Sequence, residues 1–109
     1  MTILYGIKSC DTCRMAFKAL KDAGQAVVFR DIRAEPLDEV TRAQFLDAFG
    51  MALVNTRSTT WRGLSDDERA APPDSLLAAH PTLMKRPVIE GRGGLTLGWT
   101  KAVQEAQLG

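Results

Sequence analysis

Both cysteines of the chain fall in one short stretch, Cys10-Asp11-Thr12-Cys13, and this C-x-x-C constrains the fold more than any other feature. An apolar, strand-forming run, Thr2-Ile3-Leu4-Tyr5, precedes it and is joined to it by Gly6-Ile7-Lys8-Ser9. After it, the apolar positions Cys13, Ala16, Phe17 and Leu20 recur at helical spacing as far as Gly24, a suitable C-terminal stop. The chain therefore delivers Cys10 from a strand to the first turn of a helix. A cysteine placed there faces unpaired backbone N–H groups and the positive end of the helix dipole. Both favour the thiolate, which is the reactive species. Lys8 and Arg14 flank the pair and add positive charge.

A strand that carries a C-x-x-C to a helix start is the layout of a thioredoxin-like redox site. A chain of 109 residues makes about one domain. Its 14 Lys and Arg nearly balance 13 Asp and Glu, so non-specific nucleic-acid binding is not expected. There is no basic stretch followed by an apolar leader, and no run near the roughly 18 apolar residues of a membrane helix. These features point to the cytoplasm, where a cysteine pair is catalytic, redox-sensing or metal-binding rather than a permanent staple. A structural zinc site takes four ligands, whereas the only histidine, His80, is distant and reads as a polar residue at a helix end before Pro81.

The remaining segments alternate. Ala26–Ile32 is rich in β-formers and predicts a second strand, parallel to the first through a right-handed crossover. Pro36 is expected to open a second helix, from Leu37 to about Phe49, with Val40, Ala43, Leu46 and Phe49 as its apolar stripe. Met51–Val54 predicts an apolar turn, and Asn55–Arg62 is polar around Trp61. Ser65-Asp66-Asp67-Glu68 reads as a capping box that starts a short helix, stopped by Pro72-Pro73, with another over Asp74–Ala79. Pro87–Glu90 and Leu95–Leu97 predict a hairpin, and Thr100 caps a last helix over Lys101–Gln107. The fold class expected is α/β: a mixed four-stranded sheet ordered β-α-β, then a helical insert over about 50–85, then β-β-α.

Three segments carry a resemblance to a known family: Leu4–Cys13, Asn55-Thr56-Arg57-Ser58-Thr59-Thr60-Trp61-Arg62, and Lys85-Arg86-Pro87-Val88-Ile89. In this order they resemble the arsenate-reductase (ArsC)/Spx family of thioredoxin-like proteins, and most of all its small ArsC-like, YffB-like branch. The resemblance covers essentially the whole chain, 1–109, as a single thioredoxin-like domain. It implies that Cys10 is the nucleophile, that Arg57 and Arg86 bind an anion, and that Pro87 is cis and lies against the cysteine loop. From residue type alone, Arg57 and Arg86 would read as surface arginines. Cys13 shares the phase of the apolar stripe, so it reads either as a resolving thiol or as a core residue.

The resemblance also sets functional expectations. The first is a thiol-dependent oxidoreductase that holds no bound cofactor. It would use glutathione as co-substrate, or a glutaredoxin as partner, and act as a monomer on a protein disulfide or a small oxyanion. Cys10 would attack, and Cys13 or an external thiol would resolve the adduct. The alternatives are arsenate reduction proper and a Spx-like redox-responsive regulator that binds RNA polymerase. One departure bears on arsenate: where arsenate-reducing members carry a third arginine, the matching position here is Trp99.

Overall fold

In a computed structural model that describes all 109 residues, the two N-terminal apolar runs lie side by side. Strand β1 (Thr2–Gly6) pairs in parallel with β2 (Val27–Asp31), with Leu4 opposite Phe29. Helix α1 (Asp11–Asp22) makes the crossover, and Gly24 follows it with φ +82°, the left-handed geometry that ends a helix. The hairpin forms as β3 (Val88–Gly91) and β4 (Gly94–Leu97). Strand β3 joins β1 in antiparallel register, Val88 opposite Tyr5 and Ile89 opposite Leu4. The sheet is therefore mixed, four-stranded and ordered β2-β1-β3-β4, as the sequence pattern predicts for a thioredoxin-like α/β fold.

These strands, α1 and the last helix α6 belong to one compact unit, Met1–Ile32 with Arg86–Gly109. Its core is built from Leu4, Cys13, Ala16, Leu20 and Ile89, all fully buried. Helix α6 (Lys101–Leu108) is capped by Thr100, whose Oγ1 accepts from the Val103 N–H. It closes the hairpin end through Gln107, a polar residue with no exposed surface. Gln107 Nε2 donates to Gly94 O (3.0 Å) and Thr96 Oγ1 (2.9 Å), and its Oε1 accepts from the Gly93 N–H (3.1 Å). The Gln107 carbonyl in turn accepts from Gln25 Nε2 at 2.6 Å. Helical periodicity gives no sign of this network, because a glutamine at the chain end reads as solvated. Gln107→Leu is expected to cost about 1–3 kcal/mol, since the turn's N–H and C=O lose partners that leucine cannot replace. Urea unfolding of the two proteins checks this.

The second unit, Arg33–Lys85, is helical. It comprises α2 (Glu39–Phe49), α3 (Thr59–Arg62), α4 (Asp66–Arg69), α5 (Pro73–Ala79) and short 3-10 turns at Gly50–Leu53 and Pro81–Leu83. The helical segment expected over about 50–85 thus shares a unit with α2. The Arg42–Asp74 ion pair, 2.8 Å, ties α2 to α5. An isolated bridge between Val54 and Met84 brings the two ends of the helical segment together, reinforced by Lys85 N–H to Leu53 O at 2.7 Å. The Ser65–Glu68 capping box forms with both of its bonds.

Two expectations for α2 need correction. Pro36 does not open it: Asp38 is the N-cap, its Oδ1 accepting from the Thr41 N–H at 2.7 Å, so the helix starts at Glu39. The stripe is also out of phase. Val40 is 68% exposed and Ala43 is exposed, while Phe45 is buried and Leu46 and Phe49 are half-buried. Arg42 explains the shift. Its side chain is only 16% exposed, because the guanidinium is neutralised by Asp74 and also bonds the Leu37 carbonyl. A pattern that counts only apolar residues cannot register an inward-facing, satisfied arginine. Helix α3 was not expected either; Ser58, whose Oγ accepts from the Trp61 N–H, is its signal.

Candidate active site

The loop from Gly6 to Cys10 is pinned at three points. The Ile32 N–H donates to Gly6 O (2.9 Å), the Lys8 N–H to Asp31 Oδ2 (3.0 Å), and the Cys10 N–H to Ile7 O (2.9 Å). The end of β2 therefore fixes the approach to the cysteines. Cys10 is the N-cap of α1, with extended backbone (φ −82°, ψ 119°), and its carbonyl accepts the first helical bond from the Arg14 N–H. Its thiol is half-buried and free. Cys13, one turn on, points into the core cluster and is fully buried, also as a free thiol.

Gly6 is needed for this packing. A Cβ there would stand 2.5 Å from Cys13 Sγ, closer than carbon and sulfur can approach. The sequence contains a hint in retrospect, a glycine at the end of an apolar strand, which marks close approach of another group.

The two thiols lie in opposite electrostatic environments. At Cys10, burial opposes ionisation, but it is outweighed by the Cys13 backbone N–H, the Cys13 thiol and the Arg86 guanidinium. Together they hold Cys10 below the ordinary thiol value. At Cys13 burial dominates and is reinforced by the neighbouring Cys10, so the thiol is pushed up to about 12. The pair thus consists of one thiol prepared to ionise and one kept protonated beside it, the inner able to donate a hydrogen bond to the outer.

Arg86 and Pro87 enter from the start of β3. The Arg86–Pro87 peptide is cis, as the resemblance implies, and Pro87 is fully buried, its carbonyl accepting from the Gly98 N–H at 2.8 Å. The structure therefore assembles Cys10, Cys13, Arg86 and Pro87 within one unit. Arg57 belongs to the helical unit. There it is exposed, its N–H bonds Asn55 Oδ1 (3.0 Å), and it lines an open groove with Asn55, Thr56 and Lys85. Trp99 is half-buried and packs on the core cluster, as Cys10 does, and its carbonyl accepts from Gln104 Nε2. His80 caps α5, with Nε2 3.9 Å from Glu68 Oε2. No group of three or more His, Cys, Asp or Glu side chains is placed to hold a metal ion. No helix is long and apolar enough to cross a membrane.

The model of the ArsC family matches residues 5–106, nearly the full length. The chain belongs to the ArsC family. An uncharacterised protein of Haemophilus influenzae is 38% identical over 111 residues, covering 97% of each chain. The global transcriptional regulator Spx of Bacillus subtilis is 30% identical, covering 93% of this chain and 82% of its own. The solved structure of a YffB protein superposes with a TM-score of 0.88 at 30% identity over the whole of both chains. This ArsC member therefore has the arsenate-reductase-like version of the thioredoxin fold, which points to thiol-dependent oxidoreductase chemistry.

Proposed function

We propose that the protein is a thiol–disulfide oxidoreductase that acts through Cys10 and is returned to its reduced state by glutathione or a glutaredoxin. The observation that supports this most is the inequality of the two thiols: Cys10, at the N-terminus of α1 and under the influence of Arg86, is lowered, while Cys13 behind it is buried and raised. In the first step the Cys10 thiolate attacks one sulfur of an oxidised substrate. A Cys10–substrate S–S bond forms, the original S–S bond breaks, and the leaving sulfur departs with the electron pair as a thiolate. In the second, an external thiolate attacks the substrate-derived sulfur, regenerates the Cys10 thiolate and carries the substrate away as a disulfide. The burial and raised pKa of Cys13 favour the external thiol over Cys13 as the resolving group.

Arg86 would stabilise the thiolate and accept an anionic group of the incoming substrate. The family resemblance gives Arg57 a second anion-binding role. Guanidinium forks suit carboxylates such as those of glutathione, because each makes paired, charge-assisted hydrogen bonds. Arsenate is a poorer candidate. It brings negative charge directly to a thiolate, and Trp99 supplies no charge at the position of the third arginine. Losing one charged, bidentate contact should cost roughly 1.5–3 kcal/mol, or about one to two decades of affinity.

Reduction of a glutathione mixed disulfide and of arsenate should be assayed side by side, with glutathione alone and with a glutaredoxin. Disulfide reduction with weak or no arsenate turnover is the expected result, and Arg57→Ala should raise the KM for glutathione. Strong arsenate turnover with no disulfide exchange would replace this reading with arsenate reductase. The similarity to Spx supports a second reading, a redox-responsive regulator. Capture of RNA polymerase by the purified protein, with no turnover of either substrate, would establish it.

A further inference from the structure

Beside the Cys10 loop the protein has a shallow, mainly apolar hollow of about 380 Å³, lined by Lys8, Arg14, Phe17 and Phe29. Its floor is an edge-to-face aromatic pair: the Phe17 and Phe29 rings lie 5.4 Å apart at 80°. Both rings are half-buried and pack on the same core cluster as Cys10. Phe17 lies on α1 about two turns beyond Cys10, and Phe29 on β2, which is an edge of the sheet. No further strand covers that side.

The rim is cationic. Arg14 shares its charge with Asp11. Lys8 is exposed and its ammonium forms no ion pair, although its backbone N–H holds the Asp31 carboxylate, while Lys21 Nζ sits 5.3 Å from the centre of the Phe17 ring, also without an ion pair. Two ammonium groups that form no ion pair therefore border an aromatic floor beside the loop that carries Cys10. An aromatic surface would normally be covered by the protein's own side chains, and long cations commonly lie over it only with their stems.

We infer that this hollow is a substrate subsite: it receives an apolar side chain, flanked by acidic residues, of a peptide whose cysteine is being exchanged onto Cys10. The inference rests on the thiol-exchange reading above. It adds that the oxidised substrate is a peptide segment and not glutathione alone, because glutathione has carboxylates for the rim but no large apolar group for the floor. The apolar contact supplies affinity through area removed from water, and the rim selects the sign of the neighbouring charge.

The test uses the whole protein and short peptides with one cysteine activated as a mixed disulfide with pyridine-2-thiol. The Cys10 thiolate attacks the peptide sulfur, the old S–S bond breaks, and the released pyridine thiolate is followed by its absorbance. Three peptides differ only beside the cysteine: phenylalanine with aspartates, serine with aspartates, and phenylalanine with lysines. The first should react about tenfold faster than the second, the scale expected for partly burying one aromatic side chain. It should also outrun the third, and added salt should shrink that difference, because the rim charges are exposed. Lys8→Glu, a surface change, should reverse the preference between aspartate and lysine and leave the phenylalanine-over-serine ratio in place. Equal rates for the three peptides, or a charge preference that Lys8→Glu does not move, would overturn the subsite while leaving the thiol chemistry intact. Failure of every peptide to react would overturn the thiol-exchange reading and the subsite with it.

Discussion

Cys10→Ser is expected to abolish thiol–disulfide exchange, a loss on the order of a thousandfold or more, whereas Cys13→Ser should keep activity within about tenfold of the wild type. Serine at position 10 has no anion to offer at neutral pH. Cys13 is fully buried among Leu4, Ala16, Leu20 and Ile89, and burial pushes its thiol up to about 12, so it stays protonated at neutral pH. A thiol that neither meets solvent nor ionises is a poor nucleophile toward the Cys10 adduct. Serine in its place keeps a donor beside Cys10, so the outer thiolate retains that support. A Cys13→Ser protein as inactive as Cys10→Ser would show instead that Cys13 resolves the adduct.

The raised pKa of Cys13 has a consequence for stability. The folded value lies above the unfolded thiol's value of about 8.5, so the folded state holds the proton more tightly. The associated stabilisation is complete below about pH 8.5 and is lost as pH rises toward 12, at a rate on the order of 1 kcal/mol per pH unit. Urea unfolding at stepped alkaline pH should show this decline in the wild type and a shallower one in Cys13→Ser.

Arg86→Ala should raise the Cys10 pKa and slow its reactions about three- to tenfold near neutral pH. Burial alone would push this thiol up; the Arg86 guanidinium is among the groups that outweigh burial, both as a hydrogen-bond donor and as a charge. Removing it returns part of the shift, so less thiolate is present at pH 7. The deficit should fade as pH rises past the new midpoint, because the thiol ionises there without help. Arg86→Lys should recover part of the rate, as a charge without the planar fork. The pH profile separates this from damage to the fold, which would lower the rate at every pH. A profile identical to the wild type would remove Arg86 from the site.

Much of this site was legible in the sequence because it is local. Residues 2–24 encode a strand, a turn, two cysteines and a helix in one continuous run, and each signal agrees with the next. The hairpin and the Ser65 capping box were legible for the same reason. What was not legible depends on distant partners. The inward position of Arg42 requires Asp74, which lies far along the chain and turns a charged residue into an interior one. The buried Gln107 is explained only by the turn at Gly93-Gly94. The ambiguity of Cys13 is similar. Its spacing from Cys10 suggests a redox partner and its helical phase suggests core, and only the packing around Gly6 gives the core reading its weight. The Phe17–Phe29 hollow joins a helix to an edge strand, and neither residue stands out alone.

The central claim, that Cys10 is a thiolate prepared by its surroundings, can be tested by titrating the ultraviolet absorbance of the thiolate in the wild type, Cys10→Ser and Cys13→Ser. The account predicts one ionisation in the wild type with a midpoint below about 8.5, absent in Cys10→Ser and retained in Cys13→Ser. A first midpoint at or above about 8.5, or one that survives in Cys10→Ser, would contradict it.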